Sequence, residues 1–186
     1  MSLTILDSTV SSLEQNNILL CIGDIDESFA ARVIAYLFER EHRATKPEAV
    51  KLIINSAGGE CNEFFSMIDA IKSVSYPVYT YGIGKIYSCG LLLFMAGENG
   101  HRHLFKNTSI MSHQWSGWSE GKKHEIEASE KENKMISSKI LKHYIECTGL
   151  TADEINDKLM PASDVWLSPK EAIKFHLADS IINKIR

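Results

Sequence analysis

None of the four cysteines, Cys21, Cys61, Cys89 and Cys147, lies close enough in sequence to another to make a C-x-x-C pair. That argues against a zinc or thiol-redox motif. Their expected state is reduced and mostly buried, as in a cytoplasmic protein. Basic charge is short as well: 20 Lys+Arg stand against 24 Asp+Glu, for a net charge of -4. A nucleic-acid binder usually shows the opposite excess, so no nucleic-acid partner is expected. Long apolar runs are absent. The strongest, Gly90 to Ala96, is far below the roughly 20 residues that span a bilayer, so no membrane partner is expected. The opening MSLTILDSTVSS has no basic stretch followed by an apolar one, so no secretory signal is expected. No histidine sits in an H-E-x-x-H pattern, and neither a metal nor an organic cofactor is called for.

What is present is an alternation of strand and helix patterns. Ile18–Gly23, Val50–Asn55 and Val78–Ile83 are short apolar runs with the length of buried strands. Ala30, Val33, Ile34, Leu37 and Phe38 recur at helical spacing, as do Phe64, Phe65, Ile68 and Ile71. Gly84 is expected to break the third strand. Further strands are expected near His103–Phe105 and Ser109–Met111, and an extended tail over Leu177–Ile185. Repeated strand, crossover helix, strand implies parallel pairing and an α/β fold. From about 122 to 147 there is no Pro or Gly, and Glu127/Lys131 and Glu130/Lys134 stand at i, i+4. A long helix is expected there, polar in its first half. Its second half carries an apolar face of Ile136, Ile140, Leu141, Tyr144 and Ile145. Thr151-x-x-Glu154 and Ser168-Pro169-Lys170-Glu171 fit capping boxes. The length suits one core-bearing domain over 18–186, preceded by a segment over 1–17.

Chemistry is expected at three strand ends. Asn55-Ser56-Ala57-Gly58-Gly59 turns a strand into a helix, where backbone N–H groups can approach an anion. It lacks the Lys-Ser/Thr ending of a phosphate-binding P-loop. Tyr87-Ser88-Cys89-Gly90 makes a second such turn, with Ser88 at a helix N-terminus. There Ser88 is either a helix cap or a nucleophile. Ile86 stands where a G-x-S-x-G elbow needs Gly, which disfavours an α/β-hydrolase. Adjacent parallel strands would aim the Gly59 and Cys89 amides at one oxygen near Ser88, an oxyanion hole of backbone donors. Met111-Ser112-His113-Gln114 puts His113 at a third strand end. Asp164 precedes the second capping box.

In this order and spacing, the segments from about Ile18 to Ile182 resemble the ClpP family, the proteolytic subunits of Clp proteases. These are serine peptidases with a crotonase-like fold. The resemblance rests on Ile53-Ile54-Asn55-Ser56-x-Gly58-Gly59, Tyr87-Ser88-Cys89-Gly90, Met111-Ser112-His113-Gln114 and Asp164-x-Trp166-Leu167-Ser168-Pro169-x-Glu171-Ala172. It implies Ser88 as nucleophile, His113 as general base, Asp164 as the residue orienting that base, and Gly59 and Cys89 N–H as the oxyanion hole. It further implies polypeptide substrates, a heptameric ring stacked as a tetradecamer, and an AAA+ unfoldase partner. The helix over about 122–147 would be the handle joining the rings.

Departures from the family pattern are visible. Ala57 and Trp115 replace prolines, and Cys89 replaces a Met of which only the N–H is needed. Ala162 and Ser163 stand where charged residues often pair across rings. Lys51 and Ile53 replace aromatics of the unfoldase-docking pocket, and the leading segment is short. Two other readings therefore stand beside the peptidase. One is a non-catalytic ring subunit co-assembling with a homologue. The other is a crotonase-type acyl-CoA enzyme, which has no use for an aligned Ser, His and Asp.

Overall fold

A computed structural model of the chain describes residues 2–117 and 120–185. Met1 and Arg186, the outer ends of the expected division, lie outside the described residues, as do Trp118 and Ser119. The chain opens on a helix, α1 (Ser2–Gln15). Its sequence is rich in Ser, Thr and β-branched residues, which are indifferent helix formers, so residues 1–17 read only as a leading segment. Tertiary contacts hold its end instead. The Tyr36 hydroxyl donates to the Glu14 carbonyl at 3.1 Å, and the Arg40 guanidinium donates to the same oxygen. That carbonyl is one of those a helix leaves without an internal partner.

Strand β1 (Ile18–Ile22), helix α2 (Glu27–Glu41), strand β2 (Val50–Ser56), helix α3 (Cys61–Ser73) and strand β3 (Val78–Tyr87) follow. β1 pairs parallel with β2, Ile18 opposite Lys51, and β2 pairs parallel with β3, Val50 opposite Val78. Parallel neighbours need crossovers, and α2 and α3 supply them. Each lays its apolar stripe on the sheet. Phe29, Ala30, Val33 and Leu37 of α2 and Phe64, Met67 and Ile68 of α3 are buried in one continuous cluster with Leu19, Leu52 and Ile54. Asp26 caps α2, its carboxylate accepting from the Phe29 N–H at 2.8 Å.

Gly84 does not end β3. It adopts φ +64 beside the Asn55 side chain, and the β2 register slips between Ile54 and Ser56. Because glycine tolerates that conformation, the strand bulges and continues. The two halves of β3 then serve different partners. Thr80, Tyr81 and Gly82 pair with β4 (Arg102–Phe105), whereas Lys85, Ile86 and Tyr87 pair with β5 (Ser109–Ser112). Between β3 and β4 in sequence lies the short helix α4 (Cys89–Met95), wholly buried.

After helix α5 (Lys123–Thr148) and helix α6 (Ala152–Lys158), strand β6 (Val165–Leu167) runs antiparallel to β5. Helix α7 (Pro169–Lys174) leads to strand β7 (Ser180–Ile182), which extends the main sheet beside β4. The result is α/β with a mostly parallel sheet in the order β1-β2-β3-β4-β7, and with β5 and β6 as a branch from β3. β6 escapes sequence reading because three residues show no period. Both capping boxes form: Thr151 and Ser168 accept from the N–H of Glu154 and Glu171.

α5 buries Ile136, Ile140, His143 and Tyr144 and leaves Ile145 exposed, so its apolar face is turned relative to the expected one. His143, which reads as a surface histidine, is buried, with Nε2 2.9 Å from the Leu92 carbonyl; burial pushes its pKa down. Among the expected i, i+4 pairs, Glu130–Lys134 forms at 2.6 Å, while Glu127 lies 3.7 Å from Lys123. Among the described residues, no helix is long and apolar enough to cross a membrane.

Candidate active site

The second half of β3 decides where Ser88 goes. Tyr87 pairs with Met111, and the Ser88 N–H donates to the Met111 carbonyl at 3.0 Å. His113 lies two residues beyond Met111, just past the end of β5, so one ladder carries both residues to the same place. There His113 Nε2 stands 2.7 Å from Ser88 Oγ. A capping Ser would spend its hydroxyl on the helix N–H groups. Ser88 occupies the N-cap position of α4 but makes no side-chain cap hydrogen bond. Its backbone is at φ 52, ψ -128, a conformation that L-residues adopt at a cost of about 1–3 kcal/mol. The hydroxyl is thus held out of the helix and against an imidazole.

The β2 turn closes on the same point. Ile25 N–H donates to the Gly58 carbonyl at 2.8 Å, and Glu60 N–H donates to the Ile25 carbonyl at 2.9 Å, which pins the turn to the chain after β1. Gly58, at φ +100, lies so close to the Tyr87-Ser88-Cys89 turn that a Cβ would stand 2.7 Å from Ser88 Cβ. Gly59, at φ +149, has no room either, since a Cβ would come within 2.2 Å of the Ile25 carbonyl oxygen. Both glycines are therefore required by close approach as well as by backbone conformation. Cys89 is the first residue of α4, so its N–H lacks a partner within the helix.

Asp164 is placed differently. It is exposed and, among the described residues, makes no hydrogen bond or ion pair with His113. Its position in the ladder is nevertheless adjacent. β5 and β6 pair Ile110 with Leu167, Met111 with Trp166 and Ser112 with Val165. One further step in that register sets Asp164 opposite His113, where cross-strand side chains are neighbours.

His113 is held from both sides by its neighbours Ser112 and Gln114, through contacts to distant parts of the chain. Ser112 is fully buried; its hydroxyl donates to the Leu159 carbonyl at 2.6 Å and meets the Tyr144 hydroxyl of α5 at 2.6 Å. Gln114 Nε2 donates to the Met160 carbonyl at 2.9 Å. The contacts are 32 to 47 residues away in sequence, so no local pattern announces them. Ser112→Ala leaves a buried hydroxyl and a buried carbonyl short of a partner, which costs about 1–3 kcal/mol. The expected result is a melting temperature lower by several degrees. A thermal melt that matches the parent would remove this anchoring role.

Ser88, Cys89 and His113 line a cavity of about 480 Å³. Leu92, Ile136, Ile140 and Tyr144 give it an apolar wall, and Glu60, Glu132 and Asn133 a polar one. The volume lies in the range of small-molecule and side-chain pockets. Among the described residues, no cluster of three or more His, Cys, Asp or Glu could hold a metal ion. A strained Ser touching an imidazole, beside a glycine turn and a cleft, is an arrangement for acyl transfer.

The family model for Clp protease matches residues 4–185. The chain belongs to the Clp protease family. Membership makes it a proteolytic subunit of the Clp protease type and implies a peptidase that acts on protein substrates within an oligomer. The match spans almost the whole chain, so the Clp protease assignment takes in α1 as well as the segments around Ser88, His113 and Asp164.

Proposed function

We propose that the chain is a serine endopeptidase that hydrolyses unfolded polypeptides, with Ser88 as nucleophile. His113 removes the Ser88 proton as Oγ attacks the peptide carbonyl and returns it to the leaving amine. The Gly59 and Cys89 N–H groups take the developing oxyanion. Asp164 swings from its exposed position onto His113 to fix the imidazole tautomer. Water then hydrolyses the acyl-enzyme. The observation that carries this reading is the 2.7 Å contact between Ser88 Oγ and His113 Nε2 at a backbone-strained serine.

The wider reading follows the family. It is a crotonase-like domain over 18–186, assembled in the cytoplasm as stacked heptameric rings. An AAA+ unfoldase feeds it at the expense of ATP, and α5 joins the rings as the handle. The exposed Ile22, Met135 and Trp166 support association, because large apolar side chains are costly to leave in water. A second reading, a modulatory ring subunit, draws on Asp164, which is not engaged with His113 in the single chain. A fluorophosphonate probe separates the two when it is applied to the purified particle and read with native mass spectrometry. Covalent labelling at Ser88 in a homo-oligomer is the expected result. An assembled particle whose Ser88 stays unlabelled would favour the modulatory subunit.

A further inference from the structure

Two of the four cysteines meet inside the candidate site. Cys61 and Cys89 are the first residues of α3 and α4, and each follows one of the two turns that build the oxyanion hole. Their sulfurs are 3.6 Å apart. Cys89 is buried and Cys61 half-buried, and both line the cavity that holds Ser88 and His113. The mechanism uses neither thiol; it asks only for the Cys89 N–H. We propose that Cys61 and Cys89 form a reversible disulfide that closes the oxyanion hole, so that peroxide switches the site off.

The two thiols are not equivalent. The hydrogen bond from the Cys89 thiol holds Cys61 below the ordinary thiol range despite burial, and Trp115 adds to that pull. The same hydrogen bond, together with burial, pushes Cys89 up. Cys61 is the sulfur that ionises and reacts first, helped by its place at the N-terminus of a 13-residue helix. Its thiolate attacks one peroxide oxygen and breaks the O–O bond, giving the sulfenic acid and, after protonation, water. The Cys89 thiol then attacks the Cys61 sulfur, loses its proton, and expels the hydroxyl as a second water. Two thiols and one peroxide become one disulfide and two waters. The sulfurs have to close from 3.6 Å by about 1.5 Å, which side-chain rotation at the two helix starts supplies. Cys21 and Cys147 have no such disposition: burial pushes their thiols up to about 12 and about 11.

Closing the bond draws together the starts of α3 and α4, which follow the turns carrying the Gly59 and Cys89 amides. It also ties the glycine turn to the nucleophile turn. Losing one oxyanion donor costs about 10²–10³ in rate, so even partial obstruction is measurable. Disulfides that form transiently are those expected where thiols are otherwise kept reduced. The effect on hydrolysis rests on the peptidase reading above; the disulfide itself does not.

The test uses the purified, assembled protein treated with hydrogen peroxide, alkylated, and digested without reductant. Peptide mass mapping should find Cys61 joined to Cys89, with Cys21 and Cys147 alkylated. Fluorophosphonate labelling of Ser88 should fall by roughly tenfold or more and return with dithiothreitol. In Cys61→Ser the cross-link should be absent, and peroxide should leave the labelling rate of the variant at its own reduced value. Cys61→Ala provides the same comparison should the serine variant be poorly folded. Free thiols at both positions, or a single sulfinic acid with no cross-link, overturns the proposal. A cross-link that leaves labelling unchanged overturns the switch. A cross-link in a protein whose reduced form never labels leaves the disulfide standing and sinks the peptidase reading instead.

Discussion

Replacing Ser88 by alanine should lower kcat on a peptide substrate by roughly 10⁴–10⁶-fold, with fluorophosphonate labelling lost altogether. The size follows from how the site is built. With the hydroxyl gone, His113 has no proton to take, and the oxyanion hole alone supplies only the residual rate. The fold should survive, because Ser88 makes no cap hydrogen bond to α4. Ser88→Gly separates activity from stability more sharply. Glycine is at ease at φ 52, so this variant should be as inactive as the alanine one yet more stable by about 1 kcal/mol. Turnover within a few-fold of the parent in either variant would end the case for Ser88 as nucleophile. Asp164→Asn should slow the reaction too, by setting the wrong imidazole tautomer once the side chain reaches His113. An unchanged kcat there would mean that the exposed position of Asp164 is the working one.

The parts of this site visible in the sequence are those written locally. Gly58-Gly59 after an apolar run, Ser88 between a strand and an apolar helix, and His113 at a strand end each mark a turn that a few adjacent residues specify. What joins them is not local. Gly84 reads as a strand breaker because its neighbours say so; that β3 bulges and continues depends on β5, which arrives some 25 residues later. The continuation is what brings Ser88 to His113. His143 reads as a surface residue among charged neighbours, and only the packing of α5 over Leu92 buries it. The Ser112–Tyr144–Leu159 contacts and the Cys61–Cys89 pair likewise join segments whose patterns carry no mutual signal. Strand and helix order is legible because burial imposes a period. Side-chain contacts across elements impose none.

Asp179→Ala should destabilise the fold by about 3–5 kcal/mol, the cost of leaving a buried guanidinium without its partner. Arg102 is 4% exposed and Asp179 17%. The carboxylate takes the guanidinium in a fork, Nη2 to Oδ1 at 2.6 Å and Nε to Oδ2 at 3.0 Å. It also accepts from the Gly100 and Arg102 N–H groups, each at 2.9 Å. Arg102 Nη1 reaches on to the Cys147 carbonyl in the last turn of α5. One ion pair thus fastens β4, the approach to β7 and the root of α5, three elements that the hydrophobic cluster joins only from within. The melting temperature should fall by roughly 6–20 °C in a chain of this size, whereas exposed Lys170→Ala should hardly move it. Acid should act on the same contact. Burial works to raise the Asp179 pKa, but the hydrogen bonds and charge of Arg102 outweigh it and hold the carboxyl below its ordinary value. A carboxylate depressed in the folded state adds stability above its unfolded pKa of about 3.9, and that stability is lost as the pH falls through the folded value. Stability curves below about pH 4 should therefore converge for the parent and Asp179→Ala. A gap that stays constant through that range would mean that the alanine variant loses packing rather than charge.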